Sequence, residues 1–199
     1  MRRSSIHRRL RAETAALHHA LESRLDLLAP ELRLDRYRAV LRTFYGYHAA
    51  LEPALARVVA SSPVPAFLLR ARADALARDL EALGADRQQL ASIARCDELP
   101  RLTRREHLAG CLYVIEGAAL GGAIIARAVE CRLGLTPARG CAFFAGDADA
   151  RGPRWQQVLD WLDQVATAGA RCGEDEIVAT ACETFETLTR WTERQGVVR

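Results

Sequence analysis

The sequence contains no lysine, and this absence limits what its positive charge can do. All 28 basic residues of the 199-residue chain are arginine, and with 25 acidic residues they leave a formal net charge of only +3. The arginines are scattered among acids and form neither a basic stripe nor a nucleic-acid-binding motif, so we expect no nucleic-acid partner. The one cluster of arginines lies at residues 2–11. We predict that residues 1–9, which contain most of this cluster, form a flexible N-terminal arm.

Paired metal-binding cysteines are also lacking. The six cysteines form no CxxC pair and none lies at zinc-finger spacing from a histidine, so we predict reduced, mostly buried thiols and no zinc site. The basic N-terminus is not followed by an uninterrupted apolar segment, since His, Arg and Glu interrupt residues 6–28, which argues against a signal peptide. Both observations favour a cytoplasmic location.

No segment shows the period-two alternation of half-buried strands, whereas apolar residues recur every three or four positions almost throughout. The sequence therefore predicts an all-α protein with a single domain, residues 1–199, folded as a helical bundle. Pro30 ends the first helix, Asp35 is predicted to cap the second, and residues 61–65 form a loop. Six helices are predicted, at residues 10–28, 35–60, 66–83, 102–133, 153–168 and 174–194.

The most apolar segment, residues 108–129, resembles a membrane span, and Gly117 and Gly121 form the GxxxG pair of packed transmembrane helices. Glu116 lies near its centre, where a carboxylate would cost roughly 2.5 to 3.5 kcal/mol on membrane-insertion scales. No other segment is comparably apolar. We therefore predict a buried central helix and no membrane insertion.

Three glycines, Gly117, Gly121 and Gly122, lie inside this predicted helix. Each costs about 1 kcal/mol relative to alanine, so their presence calls for an offsetting interaction. One interpretation is close packing of a neighbouring helix on the glycines. The other is a flat ligand against the helix backbone, or a bend of the helix over that ligand. The residues alone leave both interpretations open.

His18 lies on the edge of the apolar face of the first predicted helix, four residues after Thr14 and seven after Arg11. At 3.6 residues per turn these three share one side, whereas His19 is rotated by about 100° and points elsewhere. A neutral imidazole binds iron well, and an arginine roughly 10 Å away is within reach of the propionates of a heme. A lone histidine is also compatible with an ordinary surface or core residue.

Two segments connect these residues with a known family. Residues 10–18, LRAETAALH, resemble the proximal helix of heme oxygenases, whose T-x-x-x-H motif carries the iron ligand. Residues 113–122, YVIEGAALGG, are similar to the distal helix of the family, with its G-x-x-x-G-G signature. Residues 37–55 and 140–155 resemble, more weakly, the second helix and the segment that leads into a later helix. The resemblance is closest to bacterial members associated with bacteriophytochromes.

The resemblance implies a fold in which a heme is sandwiched between the proximal and distal helices, with His18 on the iron. It implies oxidative cleavage of heme, as both substrate and cofactor, to biliverdin, carbon monoxide and ferrous iron with O2. An imidazole ligand leaves the iron able to bind oxygen, which agrees with that reaction. The residues expected at the site are the catalytic Gly117, Gly121 and Gly122 and the heme-binding His18, Arg11, Thr14, Ala118 and Phe144.

Two departures from the family pattern affect these expectations. Mammalian-type members often carry an aspartate directly after the first signature glycine, where it organises distal water. Here alanines occupy positions 118–119, and neither side chain forms hydrogen bonds. On a later helix, Gln156 and Asp160 occupy positions where some members place basic propionate contacts. We therefore expect Arg11 as the main propionate anchor and Arg154 as a second one.

Three functions remain open on this sequence. An active heme oxygenase needs electrons from a separate ferredoxin or reductase, because no flavin- or dinucleotide-binding motif occurs, and its biliverdin would suit hand-off to a phytochrome. A heme-binding sensor or carrier on the same fold is the alternative suggested by the two alanines. A non-heme enzyme of the thiaminase or di-iron type is the third, although the sequence lacks the Glu-x-x-His pairs of di-iron sites.

Overall fold

Helices make up the regular structure of the computed structural model, which describes residues 5–61, 64–65, 70–168 and 170–197. Over these residues the only strand-like pairing consists of isolated bridges from Thr136 to Arg139 and Gly140. The predicted all-α fold is confirmed. The helices are α1 (Ser5–Leu25), α2 (Leu34–Ala60), α3 (Arg72–Ala82), α4 (Arg87–Ala91), α5 (Arg105–Leu133), α6 (Ala142–Ala145), α7 (Ala148–Ala168) and α8 (Ala170–Arg194).

The start of α1 differs from the flexible arm expected at residues 1–9, because residues 5–9 are helical. The helix begins at Ser5, and its first turns are anchored by Ile6 and Leu10, which are 2% and 0% exposed. Burial of two large aliphatic side chains stabilises this end of the helix, although arginines surround them in the sequence. Residues 1–4 lie outside the described part of the chain.

Two early helix boundaries differ from the prediction. Helix α1 ends at Leu25 rather than near Pro30, and the next residue, Asp26, has a left-handed φ of 51°. Helix α2 begins at Leu34, so Asp35 lies in its first turn instead of capping it. Boundaries depend on cap geometry and on backbone contacts, which apolar periodicity does not report.

Later helices show further differences. Helix α7 begins at Ala148, so Pro153 lies inside it rather than at its start. The third helix, expected from residue 66, is described from Arg72, and residues 66–69 lie outside the described part. The short helices α4 and α6 were not predicted, because five and four residues are too few for a periodic apolar pattern.

Helix α5 is the centre of the bundle and packs against α2, α6, α7 and α8. Its N-terminal half is deeply buried, with Leu108 and Cys111 both 0% exposed. Gly110 permits a close crossing with α8, since a Cβ there would overlap the carbonyl oxygen of Ile177. Helix α1 packs mainly on α7 and α8, which leaves a space between α1 and the C-terminal half of α5.

Among the described helices, α5 alone is long and apolar enough to span a membrane. Half of the most apolar stretch of this helix is buried inside the protein, as is common for the core helix of a soluble protein. Glu116 within it is buried and forms ion pairs with arginine side chains. The packing of four helices around α5 agrees with the predicted central position.

All six cysteines are free, but only half of them are buried. Cys96, Cys111 and Cys141 are buried, whereas Cys131 on α5 and Cys172 on α8 are exposed. The expectation of mostly buried thiols is therefore too strong, because two of them lie on outer helix faces.

Candidate functional site

A cavity opens between α1 and α5, and α2, α6 and α8 close it. Its volume is about 300 Å³, and it continues into a groove of about 460 Å³ along α1. Pockets for cofactors and other small molecules span about 300 to 1,000 Å³, so the joined space has the size of a cofactor site. Six residues line both spaces: His18, Val114, Gly117, Ala118, Leu120 and Phe185.

One face of α1 supplies a row of side chains to the groove. His7, Arg11, Thr14 and His18 all line it, and their spacings of four, three and four residues keep them on one side of the helix. The fold therefore brings together the three α1 residues that the sequence singled out. Thr14 is 4% exposed, and its hydroxyl donates a hydrogen bond of 2.7 Å to the carbonyl oxygen of Leu10, so its proton is used within the helix.

The side chain of His18 borders both the cavity and the groove and is 48% exposed. Its Nε2 lies 3.5 Å from Oε1 of Glu22, and its ring stands edge-on to that of Phe185 with 5.6 Å between centroids. The imidazole thus reaches the cavity with a carboxylate beside it. Sequence reasoning missed Glu22, although its spacing of four residues from His18 is a signal for such a contact. His19 is exposed and is not among the residues that line either space.

The glycines Gly117, Gly121 and Gly122 of α5 line the cavity in different surroundings. A Cβ on Gly122 would stand 2.5 Å from the carbonyl oxygen of Phe144, so this glycine permits close packing of α6. At Gly121 the corresponding position has no heavy atom of the described residues within 4 Å, apart from the adjacent residues and the backbone of the same helix, and faces open space. Gly117 faces the ring of Trp155 at 3.4 Å. The two interpretations of the glycines therefore apply to different positions.

Helix α6 supplies an aromatic wall of the cavity, made by Phe143 and Phe144. Phe144 is 6% exposed, and the two ring centroids are 5.0 Å apart. The carboxylate of Asp79 on α3 accepts hydrogen bonds from the backbone N–H groups of Ala142 and Phe143, at 2.7 and 2.8 Å. Burial raises the pKa of Asp79, against the opposing effect of these hydrogen bonds. A buried side chain from α3 thus holds the short helix that carries the wall.

Two polar side chains in the cavity wall, His48 and Arg72, were not predicted. His48 is 9% exposed, and burial, with a smaller contribution from the charge of Arg72, lowers its pKa to about 3. The Arg72 side chain is 11% exposed, and its Nε and Nη2 atoms have no hydrogen-bond partner among the described residues. Its Nη2 lies 3.1 Å from Oε1 of Glu116, close enough for an ion pair but not aligned as a hydrogen bond. The position of His48 one helical turn after Phe44 on α2 could have indicated that the two side chains share one face. No local sequence pattern indicates a role for Arg72.

Arg154, the second propionate anchor expected from the sequence, is paired with a carboxylate of α5 in this structure. Its guanidinium donates two hydrogen bonds to Glu116, from Nε to Oε2 at 2.8 Å and from Nη2 to Oε1 at 3.1 Å. The two side chains are 15% and 3% exposed, so the pair lies inside the protein. Gln156 donates to Asp160 at 2.7 Å, and neither is among the residues that line the cavity or the groove. Arg11 is the expected anchor that the structure places at the groove.

Solved structures share this fold. Heme oxygenase from Neisseria meningitidis, solved with NO and CO bound, has a TM-score of 0.75 and 23% identity, over 96% of this chain and 92% of that one. A domain of unknown function with a heme oxygenase-like fold from Shewanella denitrificans has a TM-score of 0.71 and 17% identity, over 94% and 90% of the two chains. Heme oxygenase from Leptospira interrogans has a TM-score of 0.63 and 22% identity, over 98% of each.

Sequence comparison extends this likeness beyond the fold. No curated protein sequence matches the chain. The family described as heme oxygenase, however, matches residues 4–194, which include both the face of α1 and the glycine segment of α5 that line the cavity. This chain is therefore a member of the heme oxygenase family.

Proposed function

We propose that this protein binds heme between α1 and α5 with His18 on the iron, and cleaves it oxidatively to biliverdin, carbon monoxide and ferrous iron. The observation that carries the proposal is that His18 and residues 117–122 of α5 line one cavity. Membership in the heme oxygenase family supports heme as the ligand.

The lining of the cavity fits a heme. Its walls are mainly aliphatic and aromatic, with Phe44, Phe143 and Leu188 among them, which suits the apolar faces of a porphyrin. The missing side chain of Gly121 leaves the backbone of α5 open to a flat ring. Arg11 stands at the groove, where its guanidinium can pair with a propionate through charge-assisted hydrogen bonds.

The contact between His18 and Glu22 suits an iron ligand. Bound heme would supply the iron that binds dioxygen and the ring that is opened. His18 can offer one ring nitrogen to the iron and donate the N–H of the other to Glu22, which already lies 3.5 Å from the imidazole. Such a hydrogen bond fixes the tautomer and orientation of a metal-binding histidine and raises its basicity.

Arg72 and His48 supply hydrogen-bonding groups that the alanines at 118–119 lack. Arg72 borders the cavity, and the lack of a hydrogen-bond partner for its buried Nε and Nη2 atoms among the described residues is costly. With a pKa of about 3, His48 is neutral at physiological pH, so one ring nitrogen accepts a hydrogen bond and the other donates one. We propose that the two side chains hold ordered water beside the heme, in place of the missing aspartate.

A heme-binding sensor or carrier is the second candidate. It is favoured by Ala118 and Ala119, which line the cavity without any hydrogen-bonding side-chain group. For the enzyme, a separate ferredoxin or reductase is the proposed electron donor. Hand-off of biliverdin to a phytochrome and a cytoplasmic location remain predictions.

Hemin titration followed by a single turnover tests the proposal. The protein should bind one equivalent of hemin with the spectrum of a histidine-ligated iron. After addition of reductant in air, chromatography should identify biliverdin. A stable complex without ring opening would favour the sensor or carrier, and failure to bind hemin would overturn both functions.

A further inference from the structure

Helix α7 docks on α5 at two successive residues beside the cavity. Arg154 donates two hydrogen bonds to the carboxylate of Glu116, at 2.8 and 3.1 Å, and the ring of Trp155 lies 3.4 Å from the position of a Cβ on Gly117. Helix α3 adds Arg72, whose Nη2 lies 3.1 Å from the same carboxylate. Glu116 thus joins three helices within the segment of α5 that lines the cavity, between Ile115 and Gly117.

The charge of this cluster depends on Glu116. Burial raises the pKa of Glu116, but the hydrogen bond from Arg154 and the charge of Arg72 outweigh that effect, so its pKa lies below the ordinary value. The carboxylate is therefore ionised at neutral pH. Its negative charge offsets the positive charges of Arg72 and Arg154, whose side chains are only 11% and 15% exposed. Removal of one partner from such a cluster leaves a buried charge uncompensated.

We infer that Glu116 is a positioning residue for the chemistry at the cavity. Through Arg154 it fixes the turn of α5 at Gly117, and through Arg72 it sets the electrostatic potential at the cavity wall. The inference rests on the proposed function, since this wall affects a reaction only where heme occupies the cavity. Glu116 therefore controls two separable properties, the position of α5 and the local potential.

Two substitutions separate position from charge. Glu116→Gln keeps the size of the side chain but removes its charge, which leaves the guanidinium groups of Arg72 and Arg154 uncompensated. Arg154→Lys keeps every charge but loses the two-pronged contact, because an ammonium lacks the planar fork of a guanidinium. Glu193→Gln is the matched control, since it removes a carboxylate from an exposed ion pair with Arg24.

The C–O stretching band of the ferrous carbonyl complex reports the potential at the cavity wall. A more positive potential beside the bound gas weakens the C–O bond. The band should therefore move to lower wavenumber in Glu116→Gln, much less in Arg154→Lys, and not at all in the control. The isomer ratio of biliverdin reports position and should change in both cluster variants. An unchanged band and an unchanged ratio in Glu116→Gln would overturn the inference.

Hydrogen exchange of the heme-free protein makes the test independent of the proposed function. If Glu116 holds α5 against α7, the amides of residues 113–122 should exchange faster in Glu116→Gln and in Arg154→Lys, and at the wild-type rate in the control. Should Glu116→Gln fail to fold, Arg154→Lys carries this measurement. If exchange is faster in the variants but the wild-type protein binds no hemin, the proposed function is wrong and the positioning contact is still supported. Unchanged exchange would overturn the contact even where hemin binds.

Discussion

Gly122 lies so close to Phe144 that a Cβ on the glycine would stand 2.5 Å from the carbonyl oxygen of the phenylalanine. One residue earlier, the Cβ position of Gly121 has no heavy atom of the described chain within 4 Å, apart from the adjacent residues and the backbone of α5 itself. Neighbouring glycines of one motif therefore have different roles. Gly122 admits the backbone of α6, and Gly121 leaves room in the cavity.

Alanine substitutions should separate these roles. Gly122→Ala is expected to destabilise the protein by about 1 to 3 kcal/mol, the usual cost of overpacking, because the added methyl group meets backbone. Gly121→Ala should fold and gain up to about 1 kcal/mol, since alanine is the better helix former. Its methyl group would project into the cavity, so ring opening per folded molecule should fall. Thermal melts beside single-turnover assays measure both effects, and full activity in Gly121→Ala would contradict the cavity role.

Replacement of the proposed iron ligand should be specific to one of two adjacent histidines. His18→Ala is expected to abolish the absorption spectrum of a histidine-ligated heme, because His18 borders the cavity. His19→Ala should leave the spectrum nearly unchanged, since His19 is not among the residues that line the cavity and lies about 100° around the helix. Spectra of both hemin complexes make the comparison. Loss of the spectrum in His19→Ala alone would show that the proposed ligand is wrong.

Removal of the proposed propionate anchor should weaken heme binding moderately. Arg11 is exposed, so its pairing with a propionate is expected to contribute about 0.5 to 2 kcal/mol, and Arg11→Ala should lower hemin affinity several-fold. Arg8→Ala is the control, because Arg8 is an exposed arginine of α1 that is not among the residues lining the groove. Fluorescence-quenching titrations give both affinities. Equal affinities in the two variants would remove Arg11 from the site.

The buried imidazole of His48 should make the heme-free protein less stable in mild acid. Its folded-state pKa is about 3 against an ordinary 6.5, so between these values the unfolded chain binds a proton that the folded chain does not. The stability contributed by the neutral ring is therefore lost as pH falls, by up to about 1.4 kcal/mol per pH unit. Denaturant unfolding between about pH 5 and 6.5 gives the free energy of unfolding as a function of pH. This free energy should change less with pH in His48→Gln than in wild type. His19→Gln should keep the wild-type slope, and an equal slope in His48→Gln would contradict a buried neutral ring.

Local patterns in the sequence determined the helical fold class and the groove-facing side of α1. Helical periodicity depends only on residues a few positions apart, so His18, Arg11 and Thr14 could be placed on one side without any tertiary contact. The glycines of α5 could be recognised as unusual for the same reason, because their cost is local. Short helices such as α6 and helix boundaries near Pro153 could not be predicted, since a few residues carry too little periodic signal.

Only the tertiary structure decided which side chains meet between helices. Arg154 was expected at a propionate, but packing brings its guanidinium to Glu116, 38 residues away in sequence, and a buried arginine pairs with whichever carboxylate the fold places beside it. Arg72 reaches the same carboxylate from α3, where no local pattern marked it. The difference between Gly121 and Gly122 likewise depends on the position of α6. Such pairings are set by how helices pack, because residues distant in sequence have no fixed spatial relation until the chain has folded.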